Sequence, residues 1–325
     1  MVPLRYNVRS LIVRKTTTIA AAAGVALVVA VLSAALMLYS GIRATTGRSG
    51  HVGNAIVLRK GSDAEMSSVV ENRMVGVILA APGVKKNAQG QPLGVGEVVI
   101  AITMARVDDP SKIGTVQVRG VPDNALTFRS EVRLVKGRPA EPGTDEAIVG
   151  REIVDRYVGA RLGGAIELKK NRPLTVVGIF EANRSSFESE IWADIDTVRA
   201  SFGREGIVSS VTVQLESPVK FDAFAAAVQQ DKQLQLKVQR ESAFYESLAE
   251  DTSTFLLAMG MIFVFFFSLG AMIGAAITMY GAVAQRKREV GTLRALGFSR
   301  RAILLSFLVE STLLTAVGAL VGALG

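Results

Sequence analysis

Four carboxylates stand close together in FESEIWADID: Glu188, Glu190, Asp194 and Asp196. Paired acids of this kind are what glycoside hydrolysis or the binding of a hard cation would use. Their neighbours argue for a plainer role. Phe187, Ile191 and Trp192 interleave with the acids, as on a strand with one solvated face, so a structural or surface role is expected. His51 is the only histidine and there is no cysteine, which leaves no typical zinc ligand set. A Ser-His-Asp triad would have to recruit a distant serine. No G-x-x-x-x-G-K-[ST] occurs, so the chain has no Walker A phosphate cradle. No catalytic, metal or cofactor residue is assigned, and the chain reads as a non-enzyme. Glu310 is a separate case, as the one charge in the apolar run 302–325. A carboxylate in lipid is costly, so it is a functional candidate by default. The alternative is a near-interface position with an Arg or hydroxyl partner.

The elements that carry these residues are set by hydropathy. Apolar residues make up 49% of the 325, and the mean hydropathy is +0.35. The excess is concentrated in 18–39, 255–284 and 302–325. A bilayer core needs about 20 apolar helical residues, so each run is long enough to span. The central run is about 45 Å long as a helix and should tilt or project. The first run is too long for a signal-peptide core, so a retained span is expected.

The net charge of +8 matters less than its placement. Arg5, Arg9, Arg14 and Lys15 precede the first run. Arg286, Lys287, Arg288, Arg294, Arg300 and Arg301 lie between the second and third, against Glu289. Glu241, Glu246, Glu250 and Asp251 precede the second. The positive-inside rule then puts the N-terminus and 285–298 in the cytoplasm and 41–250 outside. Basic residues that flank spans in this way argue against nucleic-acid binding.

The fold class is an α-helical membrane protein with three spans present, carrying a large mixed α/β extracytoplasmic domain. Residues 1–17 form an amphipathic helix on the cytoplasmic face, with Leu4, Val8, Leu11 and Ile12 on one side, suited to membrane lipids. Spans follow at 18–40, 251–284 and 299–325. In the domain 41–250, strands are expected at 55–59, 98–104, 115–121, 165–168, 174–180 and 210–215. Helices are expected at 66–80, 152–159, 195–202, 221–230 and 242–248. The turn-rich stretch 136–150 is a candidate boundary between two subdomains. Gly270/Gly274 and Gly318/Gly322 are GxxxG pairs that permit close helix packing.

The segment 285–298 is a short basic helix. Gly297 should end it and Ser299 should cap the next helix. Val290, Leu293 and Leu296 form its apolar stripe, which favours a docking helix over a bare loop.

Those residues carry a resemblance. REVGTLRALGFSRRAI between two spans, with LVKGRPAEPGTDEAIVGREIVDRYVGARLGG and LTVVGIFEANRSSFESEIWAD before it, is similar to the MacB/FtsX-type ABC transporter permeases. The resemblance implies a MacB-like periplasmic core domain at 41–250. It implies an ABC ATPase partner that holds the ATP and Mg, so this chain binds no cofactor. It implies a second permease copy, as a homodimer, in the inner membrane. It implies a coupling helix whose ATPase-docking residues here are Arg288, Glu289, Gly291, Leu293, Arg294, Ala295, Leu296 and Gly297. A periplasmic adaptor and an outer-membrane channel are further partners in the family, and mechanotransmission driving export or extraction is its activity. The family's four spans imply one more beyond Gly325. The alternative is an FtsX-like regulator of a periplasmic cell-wall hydrolase, a branch with smaller external domains. A membrane-tethered enzyme is a third reading, opposed by the lack of a catalytic set.

Overall fold

The β-branched runs between the first two apolar blocks become strands. The computed structural model describes residues 15–230, 235–285 and 287–324. The amphipathic stretch built on Leu4, Val8, Leu11 and Ile12 lies outside them, as does Arg286. The chain divides into an α/β unit, Ile42–Asp251, and a helical unit formed by residues up to Gly41 and Thr252–Gly325.

The α/β unit is built on a ten-stranded sheet among the described residues. Its strands are β1 (Asn54–Arg59), β3 (Gly94–Ala105), β4 (Ile113–Val121), β5 (Arg133–Gly137), β6 (Glu146–Gly150), β7 (Ala165–Lys169), β8 (Arg172–Glu181), β9 (Glu190–Asp194), β11 (Ser210–Gln214) and β12 (Leu236–Arg240). The order is β12-β1-β11-β3-β4-β9-β6-β8-β5, with β7 beside β8. Two short strands, β2 (Val70–Glu71) and β10 (Ile207–Val208), pair separately. β3 and β4 form a long antiparallel hairpin, and β9 runs parallel to β4.

Both faces of this sheet are covered. Along β1, Ala55 and Val57 enter one apolar core, while Ile56 and Leu58 enter a second with Phe180, Phe187, Trp192, Phe244 and Tyr245. Side chains alternate between faces with period two, so a strand buried on both sides shows no polar alternation.

Within the large sheet β5, β6 and β12 escape the sequence-based reading, as do the short β2 and β10, while the strand-like alternation in FESEIWADID corresponds to β9. The turn-rich 136–150 stretch contains β6, whose five residues sit between β9 and β8. The helix expected at 66–80 is shorter, α2 (Asn72–Leu79), preceded by a 3-10 turn Glu65–Ser67 and β2. The helix expected at 152–159 is instead a 3-10 turn, Arg151–Ile153, followed by turns in which Asp155 takes φ 55° and Gly159 φ 83°. Left-handed backbone at both positions breaks a helix. The remaining helices are α3 (Ala125–Phe128), α4 (Ile195–Phe202) and α5 (Phe221–Gln229).

The helical unit draws on α1 (Lys15–Thr46), α6 (Glu241–Gln285), α7 (Lys287–Ala295) and α8 (Arg300–Leu324). α1, α6 and α8 are long and apolar enough to cross a membrane. α6 begins at Glu241 rather than at 251 and runs unbroken for 45 residues. Small residues set the helix contacts. A Cβ on Gly318 would lie 2.6 Å from the Ala22 carbonyl, and one on Gly322 would lie 2.3 Å from that of Ala26, so α8 meets α1 backbone to backbone. Ala271 faces Gly24, and Ala35 faces Gly260. At Gly270 and Gly274 a would-be Cβ meets no described atom within 4 Å, so a side chain at this second GxxxG pair meets no such backbone.

Candidate functional site

The largest concentration of charge in the α/β unit is buried. Arg119, two residues before the end of β4, is 1% exposed. Its five N–H groups all find carboxylate oxygens. Nε and Nη2 donate to Glu190 at 2.8 and 2.9 Å. Nη1 and Nη2 donate to Glu65 at 3.0 and 3.1 Å, and Nη1 also donates to Glu97 at 3.0 Å. Arg129, one residue past α3, donates from Nε and Nη2 to Glu97 at 3.1 and 2.7 Å and from Nη1 to Glu241 at 2.9 Å. The Phe187 ring lies under both guanidiniums, with centroid distances of 5.1 and 4.7 Å. Planar guanidinium forks suit such bidentate, stacked geometry, and an ammonium would not.

Strand register explains the meeting. Arg119 lies opposite Val99 on β3 and Trp192 on β9. Glu97 and Glu190 are each two residues from those partners, so they project from the same face. Neutral donors satisfy further carboxylate oxygens. Ser210 Oγ donates to Glu65 at 2.6 Å and Trp192 Nε1 to Glu190 at 2.8 Å. The His51 N–H and Asn54 Nδ2 donate to Glu241 at 3.0 and 2.9 Å. Burial pushes the Glu65 carboxyl up, but the Arg119 charge and the bonds from Arg119 and Ser210 outweigh it and leave it below its ordinary value. Burial and the nearby Glu65 charge push the Tyr245 hydroxyl well above its own.

Chemically, this cluster joins elements; the donors and acceptors named above are turned towards one another. Glu190 belongs to it. Glu188 is also buried, and its carboxylate accepts from the backbone N–H groups of Ala182 and Arg184. Asp194 caps α4 by accepting from Asp196 N and Thr197 N. The acids of FESEIWADID therefore have structural roles, but Glu188 and Glu190 are not on a solvated face as alternation suggested. Ile191, Trp192 and Ala193 are all buried as well. Arg119, Arg129, Glu65, Glu97 and Glu241 were not singled out by their sequence context as a cluster. The available signal was a lone charge inside a β-branched run, as in TVQVRGV and GVGEVVI.

The predicted docking residues fall together. Arg288, Glu289, Gly291, Leu293, Arg294 and Ala295 lie on α7, and Leu296 and Gly297 form the turn after it. Gly297 adopts φ 92°, as a helix-ending glycine should. The Ser299 hydroxyl accepts from Ala302 N at 3.2 Å, capping α8. Arg288, Arg294, Ala295 and Leu296 are exposed, Leu296 at 70%. Glu310 is buried on α8, on the helix face that also carries Ile303.

Two family models match the chain. The MacB-like periplasmic core domain matches residues 16–231, and the FtsX-like permease C-terminal region matches residues 261–325. The "Macrolide export ATP-binding/permease protein MacB" of Escherichia coli O157:H7 is 28% identical over 173 residues, which is 50% of this chain and 26% of that protein. The protein of the same name from Escherichia coli strain K12 matches with the same identity and coverage. The chain thus spans about a quarter of the length of these curated relatives. Among solved structures, the periplasmic region of MacB from Actinobacillus actinomycetemcomitans aligns with TM-score 0.46 at 10% identity, covering 62% of this chain and 94% of that one. The extracellular domain of the Gram-positive transporter YknZ aligns with TM-score 0.44 at 16% identity, covering 57% of this chain and 99% of that one.

Proposed function

Because the chain belongs to the MacB-like periplasmic core domain family, with an FtsX-like permease region at its C-terminal end, we propose that it works as a mechanotransmitting permease subunit. In this reading a separate ABC ATPase subunit, holding ATP and Mg, docks on α7. Closure of the ATPase drives α7 of two paired permease copies together. The first and second spans, on α1 and α6, carry the movement to the α/β unit, which lies outside the inner membrane and acts on an envelope substrate by export or extraction. A periplasmic adaptor and an outer-membrane channel would complete an export path.

The observation that supports this most is α7 itself. A nine-residue helix with exposed Arg288 and Arg294 sits between two span-length helices and ends in a left-handed glycine turn. It is too polar to enter lipid and ordered enough to present a surface. Glu310, buried on α8, is proposed as an intramembrane group that fixes how that helix packs.

The test is co-purification with the ATPase subunit, comparing wild type with Glu289→Lys plus Leu293→Asp. Charge reversal and an acid on the apolar stripe should reduce recovery of the ATPase at least about tenfold, which corresponds to about 1.4 kcal/mol of docking energy. Unchanged recovery with the membrane fold intact would remove the support for α7 as the docking element.

A further inference from the structure

Glu241 holds two positions at once. It is the first residue of α6, the helix that goes on to carry the second apolar run. Its carboxylate is also a meeting point within the α/β unit. Oε1 takes Arg129 Nη1 at 2.9 Å, while Oε2 takes the His51 N–H at 3.0 Å and Asn54 Nδ2 at 2.9 Å. His51 and Asn54 follow shortly after the end of α1 at Thr46. One carboxylate therefore ties the segment leaving the first apolar helix to the turn that enters the second.

The same two segments touch through their backbones. A Cβ on Gly50 would lie 2.5 Å from Ser242 Cα, so the approach is open to glycine alone. Beside it, Ser49 Oγ accepts from Ser186 N at 3.0 Å and lies 2.7 Å from Ser186 Oγ. Ser186 leads directly into Phe187, the ring beneath both guanidiniums.

From Glu241 the bonds run on without a gap. Arg129 joins it to Glu97, Arg119 joins Glu97 to Glu190, and Glu190 accepts from Trp192. This path crosses from the start of α6 to β3, β4 and β9. Buried ion pairs are a weak means of adding stability, because desolvation offsets most of the attraction. What they add is geometry. Forked, charge-assisted bonds hold in one arrangement, whereas the neighbouring Phe244 and Tyr245 make edge-on ring contacts and add one long hydrogen bond, from the Tyr245 hydroxyl to Glu65 at 3.4 Å.

We propose that Glu241 and Arg129 are force-transmitting positioning residues, and that the Glu241–Arg129–Glu97–Arg119–Glu190 relay makes the start of α6 and the strands move as one body. This rests on the mechanotransmission reading above. Without the relay, displacement of α6 would be absorbed at its first turn.

The experiment uses the full chain with its ATPase subunit in lipid nanodiscs. Fluorotryptophan is incorporated into the chain, so that Trp192, its single tryptophan, gives one resonance. The paired variant Arg129→Met with Glu241→Leu replaces the ion pair by apolar side chains of similar bulk. It should keep a cooperative melt and the bound ATPase. Amide exchange over residues 241–247 should rise at least about tenfold, and the ATP-dependent shift of the Trp192 resonance should disappear. Glu241→Gln keeps an acceptor for His51 N and loses the charge facing Arg129. It should lose half or more of the shift, and it decides the matter if the paired variant does not fold. Wild-type exchange and a wild-type shift in the variants would overturn the relay alone. A wild-type complex that binds the ATPase but shows no ATP-dependent shift would overturn mechanotransmission, and the relay with it.

Discussion

Arg119 illustrates how far a residue's role depends on partners distant in sequence. Its three carboxylates come from a turn at Glu65, from β3 at Glu97 and from β9 at Glu190. Removing the guanidinium would leave Glu65 and Glu190 buried without a counter-charge and Glu97 paired with Arg129 alone. Arg119→Met is expected to destabilise the α/β unit by about 3–5 kcal/mol, read as a lowered midpoint in Trp192-detected unfolding. Arg106→Met, which breaks an exposed pair with Asp108, should leave that midpoint in place. The same cluster sets a pH dependence. The Glu65 carboxyl is held below its ordinary value of 4.5 in the fold. The stability it contributes is present above that value and is lost as pH falls through the folded value, because the unfolded chain takes up the proton first. The unfolding midpoint should therefore drop on acidification below about pH 4.5, and Glu65→Gln should flatten that slope. An unchanged slope in the variant would assign the acid response to other groups. No local pattern announces this cluster. A charge in a β-branched strand reads as a solvated position until register shows that both faces are covered.

At the scale of elements, the sequence was most legible where one physical demand dominated. Strands β1, β4, β7, β8 and β11 and helices α4 and α5 were readable because β-branched runs or helix formers are bounded by turn residues. β6 was hidden because EAIVG follows a dense run of Pro, Gly and Asp, and its burial comes from β8 and β9 rather than from its own pattern. The two GxxxG pairs look alike in sequence and differ in use. Gly322 abuts the Ala26 carbonyl, while a Cβ on Gly274 would meet no described atom within 4 Å. Gly322→Val is expected to push α8 off α1 and to destabilise the helical unit by about 1–3 kcal/mol, the usual range for overpacking. Gly274→Val should not. Thermal aggregation midpoints of the two variants in detergent check this; equal midpoints would mean that the α1–α8 contact does not hold the unit together.

At the scale of the whole molecule, charge and hydropathy specify an orientation that contacts alone do not. Basic residues concentrate around α7 and before α1, and acidic residues precede the apolar part of α6. The expectation from the positive-inside rule is α7 on the cytoplasmic side and the 42–251 unit outside. Helix packing is consistent with three successive crossings. Ala271 and Gly260 of α6 meet Gly24 and Ala35 of α1 in antiparallel order, while Gly318 and Gly322 of α8 meet Ala22 and Ala26 in parallel order. The absence of cysteine makes the orientation directly measurable. Val219 is 86% exposed in the α/β unit, and Leu296 is 70% exposed at the end of α7. With a membrane-impermeant maleimide, Val219→Cys should label in cells whose outer barrier is open and whose inner membrane is intact. Leu296→Cys should label only after that membrane is permeabilised. The reverse pattern would place α7 outside, beyond the reach of any ATP-hydrolysing partner, and would undo the coupling mechanism together with the relay that depends on it.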